Sequence, residues 1–331
     1  MKRISFLKTA SILLFSLLLF NSTLQAQQDP LYTNYMFNKL VYNPAYTGTN
    51  PEFACVTFLY HNQWTGYSPT EGIYSGAAPG TETFSIHAPF KGSNWLGGWG
   101  FYAIRDQLGF QENLSANLSL SVKKYFSFGA IYLGLNGGFY QRSINNRDWI
   151  GPDGHVFDPS IPSDEYSDIK ADFGAGIYIF KHNRYYVGVS SQHINNSQFD
   201  WGGEKNQFAR QSYISGGYSF IFPAYPRLDI QPSFLYKIDY ARQQLDLNLN
   251  VVYFNKLWVG AQYRQNDAVS MLIGVIPSKY MRIGFSYDLT TTNMNSVSNG
   301  TTEFFIQFCK GINIGPPLPH SDLIIWTPRF L

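Results

Sequence analysis

Residues 113–123 read NLSANLSLSVK and alternate polar and apolar side chains almost without a break. Residues 245–253 read LDLNLNVVY and show the same alternation over most of their length. Successive side chains of a β-strand point to opposite faces of its sheet, so each stretch gives a strand with one apolar and one polar face. The two stretches therefore predict long strands that are apolar on one side only.

Runs of this kind recur along the chain, and about fourteen of them are long enough to be strands. They lie near residues 54–60, 81–88, 97–106, 111–124, 129–141, 171–180, 184–193, 207–220, 226–238, 243–255, 256–265, 267–276, 280–289 and 302–310. Many reach the roughly 9–11 residues with which a tilted strand crosses a bilayer, and closed bacterial barrels use an even number of strands. The pattern predicts an all-β fold, a transmembrane antiparallel β-barrel over residues 54–310.

Residues 1–26 have the features of a secretory signal peptide. Lys2 and Arg3 form a basic start, residues 10–20 are mostly apolar, and Ala26 is a small residue suited to the cleavage position. The apolar stretch is too short to span a bilayer as a helix. We therefore expect cleavage after Ala26 and export of the mature chain.

The composition favours a membrane barrel over a soluble protein. Charged residues make up 14% of the chain and aromatic residues 18%, whereas soluble domains carry about 25% charged residues. A soluble β-sandwich would leave the aromatic excess unexplained. The formal net charge of +2 gives no basic excess of the kind that binds nucleic acid.

The predicted connections are short at one end of the barrel and long at the other. The short ones are 181–183, 255–256 and 277–279, and the long ones are 61–80, 142–170 and 290–301. Outer-membrane barrels have short periplasmic turns and longer outer loops. This asymmetry predicts an outer-membrane location with both termini in the periplasm.

Two features leave the local structure open. Cys55 and Cys309 lie on the first and last predicted strands, which are neighbours in a closed barrel. A disulfide could form there in an oxidising periplasm, but two independent small residues are the simpler interpretation.

Pro232 cannot donate a hydrogen bond within its predicted strand, so we expect a bulge or a strand end there.

An ordered series of short motifs runs along the chain. The early ones are Gln28-Asp29-Pro30, Tyr35-Met36-Phe37-Asn38, Tyr42-Asn43-Pro44-Ala45 and Asn62-Gln63-Trp64, and later ones are Asp172-Phe173-Gly174, Gly260-Ala261-Gln262-Tyr263-Arg264 and Arg282-Ile283-Gly284-Phe285-Ser286-Tyr287-Asp288. Together they resemble the PorP/SprF family of Bacteroidetes, membrane barrels associated with type IX secretion. The ending at residues 327–331 resembles the longer SprF-type members. His61 and Thr302 depart from the family pattern, which favours arginine and histidine there.

The resemblance implies an accessory of the type IX system that catalyses no reaction and has no cofactor. It would support secretion or surface anchoring of a large exported protein, such as a gliding adhesin, through that protein's C-terminal domain. The implied partners are that domain, periplasmic ring subunits of the machine and outer-membrane lipid. The alternative is a passive or selective channel for small solutes. A barrel enzyme would need an outward-facing catalytic pair, which the sequence lacks.

The candidate partner-binding or plug residues fall in three places. Residues 27–53 lack strand alternation and would either plug the lumen or bind a partner; the candidates there are Asp29, Pro30, Tyr35, Met36, Phe37, Asn38, Asn43 and Pro44. Gln63 and Trp64 would lie at an outer strand end, where membrane-interface aromatics are common. Residues 311–331 would form an extended periplasmic tail, which would either dock onto a partner through Trp326 and Phe330 or be unstructured.

Other chemistry-bearing residues have ordinary interpretations. His193 is expected to be a loop histidine at the outer end of the seventh strand. Asp153, Asp158, Asp164, Glu165 and Asp168 fit no calcium-binding spacing and are expected to be solvated loop charges, so no metal site is predicted. Gly134, near the middle of the fifth strand, is expected at a barrel bend or a point of tight packing.

Overall fold

The computed structural model describes residues 29–67, 78–91, 96–109, 111–144, 166–201, 204–221, 227–239 and 242–312, without the side chains of 200–206. Three features predicted above lie outside the described residues: the signal peptide, the acidic residues between 153 and 165, and the tail with Trp326 and Phe330. The described Asp168 forms an ion pair with Lys170, with 2.9 Å between Oδ2 and Nζ.

Short helical turns precede the sheet: 3₁₀ turns at Tyr35–Phe37 and Pro44–Tyr46, and the helix α1 (Lys39–Tyr42). The strands are β1 (Phe53–Asn62), β2 (Gly80–Lys91), β3 (Leu96–Leu108), β4 (Gln111–Phe126), β5 (Gly129–Ile144), β6 (Tyr166–Lys181), β7 (Tyr185–Gln192), β8 (Gln198–Trp201), β9 (Glu204–Gln207), β10 (Gln211–Tyr218), β11 (Phe220–Ile221), β12 (Leu228–Ile238), β13 (Gln243–Tyr253), β14 (Leu257–Arg264), β15 (Ala268–Ser278), β16 (Met281–Thr290) and β17 (Thr301–Gly311). In the part of the chain that the structure describes, no helix is both long and apolar enough to cross a membrane.

The strands pair in chain order and close into a barrel. Each barrel strand is antiparallel to its neighbours, β10 pairs with β12, and β1 pairs with β17. The short strand β11 continues the line of β10 along β12, while β8 and β9 form a separate hairpin. The result is a closed barrel of 14 antiparallel strands, which confirms the predicted fold and strand number.

The barrel is polar inside and apolar outside. On β4, Ser115, Asn117 and Ser119 are buried in the lumen, whereas Leu118 and Leu120 on the opposite face are 64% and 62% exposed. This distribution is the one expected of a barrel in lipid, where an outward apolar band faces the acyl chains. The period-two pattern in the sequence therefore records which side chains face lipid.

The two ends of the barrel differ in the length of their connections. One end, here the short-turn end, carries residues 92–95, 127–128, 182–184, 222–227, 254–256 and 279–280. The other, the long-loop end, carries residues 63–79, 109–110, 145–165, 193–210, 239–242, 265–267 and 291–300. Strand β1 begins and β17 ends at the short-turn end.

Pro232 lies inside β12 and does not end it. It faces Leu249 of β13 in an unbroken register. On its other side, the pairing of β12 is interrupted between Gly217 of β10 and Phe220 of β11. The missing N–H of the proline therefore interrupts the ladder on one side only, and the expectation of a bulge or strand end in β12 was wrong.

Cys55 and Cys309 face each other across the seam between β1 and β17 and are joined in a disulfide. The structure thus shows the bonded alternative, not the two independent residues that the sequence favoured. The bond links the first and last barrel strands covalently, across a sequence separation of 254 residues.

Reducing this disulfide is expected to destabilise the barrel by about 5 kcal/mol, because a crosslink between distant residues restricts the unfolded chain. The measurement is the urea midpoint of unfolding in detergent, with and without reductant. A Cys55→Ala, Cys309→Ala double variant is the control. Its urea midpoint should equal that of the reduced wild type and should not change when reductant is added. If thiol alkylation gives the wild type the same mass with and without reductant, the bond is absent.

Candidate functional site in the barrel lumen

Residues 29–52, called the plug below, lie inside the barrel and run from the long-loop end at Asp29 to the start of β1. Most of their side chains are buried, among them Tyr32 and Leu40 at 1% exposure. The segment has no period-two pattern and forms short helical turns instead. Asn43 and Pro44 start the last turn: the Asn43 Oδ1 accepts from the Ala45 N–H at 2.9 Å, and a proline suits the first helical position.

A glutamate on the last strand binds the backbone of the plug. Glu303 accepts hydrogen bonds from the Asn34 N–H at 2.6 Å and the Thr33 N–H at 3.0 Å. The Asn34 side-chain amide also donates to it, at 2.8 Å. His61 Nδ1 lies 2.8 Å from its other oxygen. The plug backbone is outside any sheet, so these charged acceptors satisfy donors that would otherwise be buried without partners.

A buried arginine joins three carboxylates next to this contact. Arg264 contacts Asp246 at 3.3 Å, Asp267 at 3.2 Å and Asp288 at 3.3 Å. The Thr33 hydroxyl donates to Asp288, at 2.7 and 2.9 Å to the two oxygens. Because buried charges are costly unless they are paired, this cluster and the plug depend on each other.

Asp29 is held by a third group of residues. Its carboxylate accepts from the Tyr213 hydroxyl at 2.7 Å and lies 3.1 Å from Nε2 of His193. Lys237 donates to its carbonyl oxygen at 2.8 Å. His193 Nδ1 lies 2.8 Å from Asp172. His193 is the first residue of the loop after β7, as expected, but it is buried in the lumen; its positive φ of 55° turns the chain sharply after β7.

The charges of this group stabilise one another. Burial alone would raise the pKa of Asp29, but the charge of His193 and that of Lys237 lower it well below its usual range. Burial alone would lower the pKa of His193, but the charge of Asp29 and the hydrogen bond to Asp172 raise it to about 10. At neutral pH the histidine is thus a cation between two carboxylates.

This arrangement predicts that the plug contact weakens at alkaline pH. A histidine whose pKa rises on folding, from 6.5 to about 10, contributes stability that is fully present below about pH 6.5 and lost as pH approaches 10. The urea midpoint of the wild type should therefore fall between pH 7 and pH 10. A His193→Gln variant should have a lower urea midpoint than the wild type at pH 7. Its midpoint should also fall by a smaller amount between pH 7 and pH 10. If the urea midpoints of the wild type and of His193→Gln fall by the same amount between pH 7 and pH 10, the prediction is contradicted.

Aromatic packing fills the middle of the lumen. Phe37 stacks on Phe305 with 4.2 Å between ring centroids and lies 5.3 Å from Trp258. Met36 belongs to the same buried cluster. The Tyr35 hydroxyl is 2.9 Å from Ser233 Oγ. Asn38, between the first 3₁₀ turn and α1, is also buried.

Nearer the short-turn end, the plug backbone touches the barrel wall directly. A Cβ on Gly134 of β5 would lie 2.2 Å from the Ala45 nitrogen, and one on Gly98 of β3 would lie 2.2 Å from the Gly48 nitrogen. Asn43 donates to the carbonyl of Ile177 in β6 at 3.1 Å. Gly134 is therefore a point of tight packing, the second of the two roles its position suggested.

Two small cavities lie between the described residues of the plug and the wall. A cavity of about 30 Å³, lined in part by Asp29, Pro30 and His193, lies toward the long-loop end. A second cavity, of about 20 Å³, lies near Lys39. Each is large enough for only one or two water molecules.

Gln63 and Trp64 lie outside the lumen, at the rim of the long-loop end. The Gln63 N–H donates to the Pro79 carbonyl at 2.9 Å. The Trp64 N–H donates to the Thr301 hydroxyl at 3.0 Å. Both side chains are half-buried. The candidate residues thus fall into a buried plug group and a separate rim pair.

The family described as "Type IX secretion system membrane protein PorP/SprF" matches the chain over residues 24–308. The chain belongs to this family. The PorP/SprF family and the barrel fold make it an outer-membrane component of the type IX secretion system. No curated protein matches the sequence.

Several solved structures resemble this PorP/SprF barrel. The outer membrane protein Omp33 of Acinetobacter baumannii is 8% identical, with 78% of this chain and 97% of that one covered and a TM-score of 0.44. A TodX deltaS2S3 mutant, a monoaromatic hydrocarbon channel, is 10% identical, with 82% and 94% covered and a TM-score of 0.47. A FadL homologue of Pseudomonas aeruginosa is 11% identical, with 87% and 95% covered and a TM-score of 0.42.

Sequence reasoning missed the wall residues that hold the plug in this PorP/SprF chain. They are His61, Asp172, His193, Asp246, Arg264, Asp288 and Glu303. A usable signal was present, since most are charged residues at polar positions within predicted strands. In a membrane barrel such positions face the lumen, where charges need partners.

Proposed function

We propose that this chain is a non-enzymatic accessory of the type IX system. It supports secretion or surface anchoring of a large exported protein, of the gliding-adhesin kind, through that protein's C-terminal domain. The observation that carries the proposal, beside the family, is the occupied lumen: among the described residues the plug is anchored to the wall at both ends, and the two cavities described beside it each hold only one or two water molecules. A barrel closed in this way is suited to contacts through its rims and not to the passage of solutes.

In the proposed orientation the long-loop end faces outward. Strand β1 then begins and β17 ends on the periplasmic side, where ring subunits of the machine would meet them. Asp29 lies near the outer end of the lumen, against His193 and Lys237. The exported protein would meet the outer rim, to which Gln63 and Trp64 belong, because the plug candidates from Tyr35 to Pro44 are buried.

The channel alternative requires the plug to move aside. Such a movement would break the contacts of Glu303 with Thr33 and Asn34 and those of Asp29 with His193. Breaking a buried ionic contact costs about 3–5 kcal/mol, and a passive channel would have to open against that cost at several contacts. The occupied lumen therefore favours the accessory role.

The test is a pull-down of the tagged chain from its native outer membrane in mild detergent, read by mass spectrometry. We expect a large surface protein, or its C-terminal domain, together with subunits of the secretion machine. An unrelated tagged barrel from the same membrane is the control. Recovery of the barrel alone, with normal surface display in a strain lacking it, would refute the proposal.

A further inference from the structure

Three cations, called the basic patch below, lie on the outer side of the barrel between β4 and β7, at the short-turn end. Lys124 lies on β4, Lys181 is the last residue of β6, and Arg184 lies in the turn to β7. Lys124 and Arg184 are exposed, and Lys181 is half-buried. Among the described residues, none of the three side chains forms an ion pair.

Two of these cations continue rows of side chains that face lipid. On β4, Leu120 and Val122 are exposed on the outer face, and Lys124 is the next residue on that face. On β6, Ile177 is exposed on the outer face, and Lys181 lies on the same face four residues later. A lysine at the end of such a row extends its apolar stem along the lipid boundary and its ammonium toward the headgroups. The patch therefore faces the membrane and not the lumen.

Exposed aromatic rings lie beside the patch. Phe126 and Phe128 are stacked at the turn between β4 and β5, with 5.4 Å between ring centroids. The Lys124 ammonium lies 5.8 Å from the centroid of the Phe126 ring. The Tyr185 hydroxyl donates to the Phe128 carbonyl at 2.7 Å and so links this turn to the start of β7. Aromatic rings of this kind are enriched at the level of the headgroups, which sets the depth of the patch in the membrane.

The strand register brings the cations within reach of one headgroup. Lys124 faces Ile131 of β5, which faces Ile179 of β6, two residues before Lys181. The spacings of strands and of residues along them place the Cα atoms of Lys124 and Lys181 roughly 12 Å apart. The N–H of Arg184 donates to the carbonyl of Lys181 at 3.1 Å, which keeps the third cation beside the second. Flexible side chains can close a gap of this size around a phosphate group.

The chain supplies no carboxylate to this part of its outer surface. The connections at the short-turn end contain no aspartate or glutamate. Glu52 precedes β1, and Asp229 is buried on β12, so neither lies on the outer face between β4 and β7. Near the long-loop end, in contrast, the exposed Arg105 contacts Glu112 at 2.6 Å. The basic patch thus presents positive charge to the headgroup region, where it attracts anionic lipid.

We propose that the basic patch binds the phosphate group of an anionic phospholipid in the membrane leaflet at the short-turn end. Three cations without a carboxylate favour a headgroup with a net negative charge over a zwitterionic one. Their position on lipid-facing rows favours a lipid over a soluble acidic protein, which would meet the rim from the aqueous side. The site does not rest on the proposed secretion role and requires only that the barrel lies in the outer membrane.

The direct test uses the wild-type barrel, equilibrated in mild detergent with equal amounts of phosphatidylglycerol and phosphatidylcholine of the same acyl chains. Native mass spectrometry then shows which lipid stays bound. We expect phosphatidylglycerol to be retained about tenfold or more over phosphatidylcholine, because each cation near an anionic headgroup favours binding about fivefold. Equal retention of the two lipids would overturn the proposal. This measurement does not depend on a substitution being tolerated.

A triple variant, Lys124→Gln, Lys181→Gln and Arg184→Gln, tests the assignment to these residues. Its preference for phosphatidylglycerol should fall to within about twofold of equal retention, because the charges that select the anionic headgroup are gone. Gel mobility shows whether the variant is a folded barrel. A folded triple variant that keeps the wild-type preference would refute the site.

The matched control removes the same number of positive charges near the long-loop end, by Arg105→Gln, Lys170→Gln and Arg210→Gln. It should keep the wild-type preference, and an equal loss in both variants would mean that only net charge matters and that there is no site. Polyglutamate serves as the soluble acidic probe. If the wild type prefers neither lipid but binds polyglutamate through the basic patch, the patch serves a soluble partner and the lipid proposal is wrong.

Discussion

Deletion of residues 30–49 is expected to turn a closed barrel into a conducting one. Side chains fill the interior of a barrel of about eight strands, whereas barrels of about sixteen strands leave an aqueous channel. With 14 strands and a polar inner wall, the lumen needs the plug to stay closed. We expect the conductance in planar bilayers to rise by more than about tenfold over the wild type.

A substitution in the wall tests the same point without a deletion. Gly134→Leu should displace the plug, because even a Cβ at this position would lie 2.2 Å from the Ala45 nitrogen. Gly137→Ala on the same strand is the matched control, since its Cβ would meet only the Phe173 side chain, at 3.3 Å. The contrary result is a deletion variant that inserts and shows the gel mobility of a folded barrel without a rise in conductance. That result would contradict the prediction and would mean that the wall alone closes the lumen.

The barrel could be predicted because the pattern that specifies a membrane strand is local. Each residue of β4 or β13 faces either lipid or lumen, and the alternation shows this within a few residues. Closure of these strands into a barrel then makes the first and last strands neighbours. That step brought Cys55 and Cys309 together, although it could not decide whether they are bonded.

The plug and its anchors could not be predicted in the same way. Glu303 binds the backbone at Thr33 and Asn34, about 270 residues earlier in the chain, and no local pattern records such a contact. His193 illustrates the same limit, since its position after a strand suggested an ordinary loop histidine and gave no sign of a buried contact. Its role depends on Asp29, 164 residues away. Composition could show that residues 27–53 are not a strand, but not which way they run through the lumen.

Glu303→Ala is expected to lower the free energy of unfolding by about 3–5 kcal/mol, because it leaves several buried donors unpaired. The Glu303 side chain is fully buried. It accepts from the Thr33 N–H, the Asn34 N–H and the Asn34 side chain, and it contacts His61. The measurement is urea unfolding in detergent, followed by gel mobility and by tryptophan fluorescence.

Two other substitutions identify the cause of this loss. Glu303→Gln keeps one oxygen that accepts an N–H but loses the charge, so we expect an intermediate loss. Glu82→Ala removes an exposed glutamate of β2 and should change stability by less than about 0.5 kcal/mol. If Glu303→Ala behaves like Glu82→Ala, the plug does not depend on this carboxylate. If Glu303→Ala destabilises the barrel and also makes it leak in bilayers, the hydrogen bonds between the plug and the last strand of the chain both stabilise the fold and keep the lumen closed.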